Sequence, residues 1–243
     1  MCIRDSMNGM ITVDENYDLN AILPKLKAYT TGKVVEKVTC REKEILPGNG
    51  PKVALMDFGA KRNIARSLNK RGCQVTIYPA LTPAEEILGD HPDGIMLSNG
   101  PGDPKECTSI IKEVKKLYDS DVPIFAICLG HQLMALATGG DTYKMKYGHR
   151  GGNHPVKDLT TGNVFITSQN HNYIVADLPD TVEETFVNVN DGTCEGIRHK
   201  TLPIQSVQFH PEASPGPLDT GWLFDRFLKG VNLSLIHISE PTR

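Results

Sequence analysis

Short apolar runs alternate along residues 52–138 with segments whose apolar residues recur at helical spacing. Apolar runs bounded by turn residues predict buried strands, and a spacing of three to four residues predicts amphipathic helices. We therefore expect strands at 52–56, 74–78, 94–97 and 124–127, and helices at 62–70, 84–88, 108–118 and 131–138. Strands alternating with helices predict an α/β fold with an open, mostly parallel sheet and helices on both faces.

The segments on either side of this region do not show the same alternation of strands and helices. Residues 9–13 look like a strand fragment, residues 19–29 like a helix interrupted by Pro24, and the sequence Pro47-Gly-Asn-Gly-Pro51 predicts a linker. After Gly140 we expect short strands at 155–157, 164–168, 185–189, 194–198 and 204–209. A closing helix is expected at 221–228.

This pattern predicts one main domain at 51–230, preceded at 7–50 by the tail of another domain and a linker. Residues 1–6 and 231–243 resemble translated adapter sequence, with a helix end expected at Lys229-Gly230. Both ends are left out of the fold prediction as non-native segments.

Composition excludes several classes of function. The net charge is −3, with both signs interspersed, so no basic patch indicates nucleic-acid binding. No apolar run approaches the roughly 20 residues of a membrane-spanning helix, so we expect no membrane association. The six cysteines form no C-x-x-C pair, which favours a reducing, cytoplasmic location and argues against both disulfides and zinc.

Cys128 lies between the apolar run 124–127 and a helix-compatible segment that begins after Gly130. A nucleophile on a strand-to-helix turn has small neighbours in the pattern G-x-S-x-G, which here is Ala126-x-Cys128-x-Gly130. The backbone N–H groups and dipole at a helix start favour a thiolate. The alternative is a buried structural cysteine, since free Cys is often a small core residue. The turn alone does not decide between the two.

His210 and Glu212 provide the second half of a catalytic arrangement, just after the strand predicted to end at Phe209. In extended backbone, residues two apart point to the same side, so the carboxylate and the imidazole should meet. A carboxylate fixes the tautomer of a histidine and supports its cation, and such a histidine activates a cysteine. Although a lone histidine or glutamate is more often structural or solvated, the pair at a strand end favours catalysis.

The loop Gly100-Pro-Gly102 follows the strand 94–97, and ligands bind at the carboxyl ends of parallel strands. Its glycines let the backbone approach a ligand closely, and its N–H groups could stabilise an oxyanion together with that of Leu129.

The remaining motifs do not indicate a nucleotide site or a metal site. No phosphate-binding glycine motif is present. His149, His154 and His171 fall in polar loops without the spacing of metal ligands, so we expect them to be structural and expect no metal site.

Taken together, Cys128-Leu-Gly-His-Gln132 and His210-Pro-Glu212 resemble the class I, triad-type glutamine amidotransferases. Within that family, three longer stretches and Ser168-Gln-Asn-His171 resemble the small chains of carbamoyl-phosphate synthases. The longer stretches are Asp57-Phe-Gly-Ala-Lys-Arg-Asn-Ile64, Leu97-Ser-Asn-Gly-Pro-Gly-Asp-Pro104 and Phe209-His-Pro-Glu-Ala-Ser-Pro-Gly-Pro-Leu-Asp-Thr220.

The resemblance implies a flavodoxin-like domain that hydrolyses L-glutamine through a glutamyl thioester, with Cys128 as nucleophile, His210 as base and Glu212 as its supporting acid. It assigns the oxyanion hole to Gly100 and Leu129. The implied glutamine-binding residues are Gly102, Gln132, Asn170, Asn172 and Tyr173.

The resemblance also implies a partner, a large synthetase subunit that receives ammonia through a tunnel. That subunit uses bicarbonate, ATP and magnesium, while this chain binds no cofactor of its own. The product could serve arginine or pyrimidine biosynthesis, and the sequence leaves this open.

The chain departs from the family pattern at two places. Asn172 stands where the family usually has glycine, which matters if the position needs a positive φ, although Asn tolerates that better than most residues. The family also has a longer N-terminal domain, so we expect this sequence to be an N-terminally truncated fragment.

Two other functions stay open. The first is an amidotransferase serving anthranilate, GMP or CTP synthesis, which the stretch Asp57–Ile64 disfavours. The second is a catalytically silent regulatory subunit, which the presence of all three triad residues disfavours. An α/β-hydrolase would place its acid between nucleophile and histidine in the chain, so it is less favoured.

Overall fold

Five parallel strands form the centre of the protein. The computed structural model describes residues 8–29, 32–214 and 216–239, and of residues 235–239 it describes the backbone only. The central strands lie in the order β3 (Gln74–Pro79), β2 (Lys52–Asp57), β4 (Gly94–Leu97), β5 (Ile124–Ile127) and β10 (Ile204–Val207). The first four of these in the chain lie where the apolar runs predict them.

Helices cover both faces of this sheet because successive strand residues point to opposite sides. On one side, Ala54 and Met56 pack with residues of α4 (Ala84–Gly89), α5 (Thr108–Tyr118) and α6 (Leu129–Ala137). On the other side, Val53 and Leu55 pack with residues of α3 (Arg62–Asn69) and α7 (Trp222–Ser239). The predicted fold class, an α/β sheet with helices on both faces, is confirmed.

An antiparallel extension is much larger than the sequence pattern predicts. The long strands β6 (Asp141–Asp158) and β7 (Val164–Ala176) pair with each other, and β8 (Val182–Asn188) and β9 (Cys194–His199) join them to β10. The prediction of short strands at 155–157 and 164–168 was therefore wrong in length. In both β6 and β7, buried and exposed residues do not alternate regularly, and many residues are polar. The sequence pattern therefore did not indicate strands of this length.

The ends of the described chain also differ from expectation. Residues 9–13 form no strand, whereas α1 (Leu19–Ala28) forms with Pro24 inside it. A short helix, α2 (Val35–Val38), and strand β1 (Glu44–Leu46) follow, and β1 pairs antiparallel with β3.

At the other end, α7 does not stop at Lys229-Gly230 but continues to Ser239. Of the segments predicted to be non-native, 1–6 and 231–243, residues 1–6 and 240–243 lie outside the described residues. Among the described residues, no helix is both long and apolar enough to cross a membrane.

Candidate active site

Cys128 occupies a strained turn between β5 and α6. Its φ is 54° and its ψ is −103°, a combination that non-glycine residues adopt rarely and that costs about 1–3 kcal/mol. The Cys128 N–H donates to the carbonyl oxygen of Val207 at 2.9 Å, which anchors the turn to β10. Its side chain is buried. The predicted nucleophile elbow is therefore present, and the surrounding sheet holds it in place.

Gly130 lets this turn sit against the neighbouring strand. Its N–H donates to the carbonyl oxygen of Ser98 at 3.0 Å, and a Cβ at this position would lie 2.5 Å from the carbonyl oxygen of Leu97. Any side chain here would push α6 away from β4.

We expect Gly130→Ala to lower the free energy of unfolding by about 1–3 kcal/mol, because the added methyl group overpacks a rigid backbone contact. Urea denaturation monitored by circular dichroism measures the change. Gly89→Ala is the matched control, since no atom lies within 4 Å of a Cβ there. Equal stabilities of the two variants would contradict the close approach at Gly130.

His210 and Glu212 form a buried pair beside Cys128. The distance from His210 Nδ1 to Glu212 Oε1 is 2.7 Å. The pair is brought together by a turn, in which the Ala213 N–H donates to the His210 carbonyl at 3.2 Å, rather than by the extended backbone expected from the sequence. Because Nδ1 is engaged by the carboxylate, Nε2 is the nitrogen available to Cys128.

The charges of these three residues support one another. Burial alone would lower the pKa of His210, but the charge and hydrogen bond of Cys128, followed by those of Glu212, raise it to about 10. Burial alone would raise the pKa of Glu212, but the hydrogen bond and charge of His210 and the charge of Lys61 lower it. The imidazolium form is therefore favoured at neutral pH.

The signs of the two shifts define a pH window for stability. The His210 cation stabilises the fold below its ordinary pKa of 6.5, and this contribution is lost as the pH rises towards 10. The Glu212 carboxylate stabilises the fold above its ordinary pKa of 4.5, and this contribution is lost as the pH falls through its lowered value.

We expect Glu212→Gln to lower the pKa of His210 by roughly one to three pH units, because an opposite charge in contact is removed. NMR titration of the ring-labelled histidines measures this pKa. The signals of His91 and His199, neither of which lines the cavity, serve as internal controls. An unchanged pKa would mean that Glu212 does not support the cation.

A cavity of about 350 Å³ opens onto Cys128 and His210, within the range of small-molecule sites. Its lining residues are Lys61, Asn99, Gly100, Pro101, Gly102, Cys128, Gln132, Asn170, His171, Asn172, Tyr173 and His210. The loop 99–102, the Cys128 turn and the segment at His210 thus meet at one edge of the sheet, as the sequence predicts.

The loop that carries Gly100 packs too closely for any side chain. A Cβ on Gly100 would lie 2.3 Å from the carbonyl oxygen of Phe58. Leu129 is the first residue of α6, so its N–H has no partner within the helix. Its side chain lies in the core, so the Leu129 backbone is the part that can serve the site.

The opposite wall of the cavity is built by α6 and β7. Gln132 Nε2 donates to the carbonyl oxygen of Tyr173 at 3.0 Å and to Gln208 Oε1 at 2.9 Å, which leaves the Gln132 Oε1 as an acceptor. The Tyr173 hydroxyl donates to Asp103 Oδ2 at 3.0 Å and so joins this wall to the glycine loop. Burial, together with Asp103, raises the pKa of Tyr173 to about 12.

Asn170 and Asn172 both lie on β7 with exposed side chains that border the cavity. Asn172 Oδ1 accepts a hydrogen bond from Arg150 at 2.5 Å. The backbone φ of Asn172 is not positive. The concern that this position needs glycine for its backbone conformation therefore does not apply.

Residues of the site that were not assigned a role from the sequence include Lys61, Asn63 and Gln208. Lys61 Nζ lies 3.5 Å from Glu212 Oε1, and the side chain of Asn63 donates to the Glu212 carbonyl. Gln208 holds Gln132. Lys61 and Asn63 belong to the stretch 57–64 that carries the family resemblance, which was the available signal.

The prediction that His149, His154 and His171 lie in polar loops was wrong. They lie on the long strands β6 and β7, where His149 pairs directly with His171. The ring centroids of His149 and His171 are 4.9 Å apart, and those of His149 and His154 are 5.0 Å apart. His171 also lines the cavity.

The fold and the Cys-His-Glu site define a class of protein. The model of the family described as glutamine amidotransferase class-I matches residues 54–230, and the chain belongs to this family.

Within this family, the chain is similar to small chains of carbamoyl phosphate synthase. It is 53% identical to the small chain from Clostridium perfringens over 224 residues. This alignment covers 92% of this chain and 64% of that protein. It is 51% identical over 216 residues to the pyrimidine-specific small chain from Bacillus subtilis, covering 88% of this chain and 59% of that protein. The chain thus spans about 60% of the length of these relatives.

Solved structures show the same fold. A protein from Thermoplasma acidophilum, described as part of a putative GMP synthase, matches with a TM-score of 0.72 and 25% identity, covering 80% of this chain and all of that one. A glutamine amidotransferase from Thermotoga maritima matches with a TM-score of 0.56 and 15% identity, covering 79% of this chain and 87% of that one.

Proposed function

We propose that this chain is the glutamine-hydrolysing part of a carbamoyl-phosphate synthase, releasing ammonia for a large synthetase subunit. The observation that carries the proposal is the buried row of Cys128, His210 and Glu212 at the floor of an open cavity. The identity of about half of the aligned residues with carbamoyl phosphate synthase small chains supports the choice of synthase.

In the proposed reaction, the Cys128 thiolate attacks the side-chain carbonyl carbon of glutamine. The His210 cation then gives its proton to the departing amide nitrogen, which leaves as ammonia, and a glutamyl thioester remains. Water attacks this thioester, His210 takes up a proton from it, and glutamate is released as the thiolate returns. Glu212 holds the ring orientation throughout.

The oxyanion formed in both steps would be stabilised by backbone N–H groups. We assign this role to Gly100 and Leu129, because one lies on the tightly packed loop and the other begins α6.

Glutamine itself would be held by the cavity walls, with Gln132 Oε1 accepting from it. Gly102, Asn170, Asn172 and Tyr173 border the same space.

The partner in this proposal is the large subunit, which would supply the sites for ATP, magnesium and bicarbonate. The glutaminase reaction itself would use no cofactor bound by this chain. Its described cysteines are all free, and a catalytic thiol requires a reducing compartment, which supports a cytoplasmic location.

The test is glutamate release from glutamine, measured with and without a large subunit. In parallel, glutamine should protect Cys128 from alkylation, read by mass spectrometry of the peptide that contains it, while asparagine should protect less. Alkylation at equal rates with and without glutamine would contradict the proposed substrate.

A second candidate is an amidotransferase that serves GMP synthesis, because the fold of the putative GMP synthase component matches closely. Its identity of 25% is half that of the carbamoyl phosphate synthase relatives. Ammonia transfer to the synthetase component of a GMP synthase, but not to a carbamoyl-phosphate synthase large subunit, would favour it.

A further inference from the structure

A second cluster of chemically active side chains adjoins the cavity of Cys128, which one of its members lines. His149, His171 and Glu195 are all buried, and each offers one ligand atom, these atoms lying within 4.8 Å of one another. They come from β6, β7 and β9, three strands of the antiparallel extension. We call this set the histidine–carboxylate cluster. It takes no part in the proposed chemistry of the triad.

Two atoms of the cluster lack a hydrogen-bond partner in the described part of the chain, although both are buried. They are Glu195 Oε2, in a side chain with no solvent exposure, and His149 Nδ1. Buried polar atoms usually have a partner, so two atoms without one in a single cluster are available to bind a ligand.

One distance within the cluster fits two ligands of a metal better than it fits a hydrogen bond. His149 Nδ1 lies 3.4 Å from Glu195 Oε1, long for a hydrogen bond between charged groups. Adjacent ligands around a tetrahedral zinc ion lie about 3.3–3.4 Å apart, given bond lengths of about 2.0–2.1 Å.

The outer contacts of the cluster are those that metal ligands require. His149 Nε2 bonds to Asp191 Oδ2 at 2.8 Å, and His171 Nδ1 bonds to the carbonyl oxygen of Tyr173 at 2.9 Å. Asn188 donates to Glu195 Oε1 at 3.0 Å. Metal-binding histidines usually donate their far nitrogen to a carboxylate or a carbonyl, which fixes the tautomer. His149 Nδ1 and His171 Nε2 remain as the ligating nitrogens.

Gln169 supplies a further oxygen next to the cluster. Its Oε1 lies 3.0 Å from His171 Nε2, while its Nε2 donates to Thr167 Oγ1 at 3.2 Å. The Thr167 hydroxyl donates its only hydrogen to the carbonyl oxygen of His154 at 2.9 Å. It can therefore only accept from Gln169, which fixes the Gln169 amide with Nε2 towards Thr167 and Oε1 towards His171. This oxygen or a water can complete a fourth position.

We propose that His149, His171 and Glu195 bind a divalent transition-metal cation of the zinc type. Two imidazoles and one carboxylate suit zinc, whereas magnesium and calcium prefer all-oxygen sites. Since His171 also lines the cavity of Cys128, the ion stiffens the wall formed by β7. The alternative is a metal-free ion pair of a His149 cation with Glu195 and Asp191.

The experiment titrates the full chain with zinc chloride against a chromophoric chelator. The titrations use the Cys128→Ser background, which removes the catalytic thiol as a competing ligand, and repeat with magnesium chloride. We expect one zinc ion per chain and no competition by magnesium. Failure to bind zinc would leave the ion pair as the correct account and overturn the proposal.

Single substitutions then locate the ion. Asp191→Asn should weaken zinc binding by roughly 10–100-fold, as the loss of an outer-shell partner does. Glu195→Gln and His149→Asn should weaken it further, and each variant is first checked for folding by circular dichroism. The matched control is His91→Asn, which removes an exposed histidine outside the cluster. Equal affinities in all four variants would overturn the proposal.

X-ray absorption of the zinc-loaded chain identifies the ligand atoms without relying on any variant of the cluster. We expect nitrogen and oxygen neighbours alone, at about 2.0–2.1 Å. Sulfur neighbours at about 2.3 Å would mean that a cysteine binds the ion and would refute this site.

Discussion

Cys128→Ser is expected to reduce glutamine hydrolysis by at least roughly 10³-fold, to near the detection limit of a glutamate-release assay. The cause is the loss of the thiolate, which is also the first of the charges that raise the pKa of His210. A serine hydroxyl at the same turn stays neutral beside the imidazole. Without a thiolate no thioester forms.

The control for this change is Cys40→Ser, which makes the same substitution at a partly exposed cysteine outside the site. It should retain full activity. In a complex with a large subunit, Cys128→Ser should also retain carbamoyl-phosphate synthesis from added ammonia, because that chemistry belongs to the partner. Loss of both the glutamine-dependent and the ammonia-dependent activity would contradict this division of roles.

His210→Asn should lower kcat for glutamine hydrolysis by roughly 10²–10⁴-fold, the usual contribution of a general acid–base residue. Asparagine cannot carry the proton to the leaving nitrogen or take it from water. It also removes the nearer of the two cations beside the buried Glu212 carboxylate, leaving only Lys61, so a loss of stability accompanies the loss of rate. Steady-state kinetics and thermal denaturation measure the two effects separately.

Two comparisons make this result decisive. Glu212→Gln should cost less activity than His210→Asn, since Glu212 orients the ring but transfers no proton. His199→Asn, at a histidine on the far end of β9, should leave kcat unchanged. A larger loss for Glu212→Gln would show that the proton carrier has been misassigned.

The α/β half of the fold could be predicted from sequence because its signals are local. The strands 94–97 and 124–127 and the helix 108–118 have the predicted bounds, since buried parallel strands are continuous apolar runs. The meeting of the three residues proposed as the triad could also be predicted, since Cys128, His210 and Glu212 each follow a predicted strand and parallel strands end at one edge.

The antiparallel extension could not be predicted in the same way. Strands β6 and β7 are rich in exposed polar residues, and their pairing shifts register at two places, so no regular alternation marks them. The continuation of α7 to Ser239 was not predicted either, because Gly230 indicates a helix end and residues 231–243 resemble translated adapter sequence.

The sequence by itself determined the order of strands and helices over residues 52–138, the turn at Cys128 and the choice of the three residues proposed as the triad, because these depend on residues close together in the chain or at strand ends. The tertiary structure alone decided which distant side chains share a buried space. Lys61 reaches Glu212, and His149, His171 and Glu195 meet, only because of how the sheet's strands pair and its loops fold back. Such meetings depend on long-range strand register, which no local pattern of residues encodes.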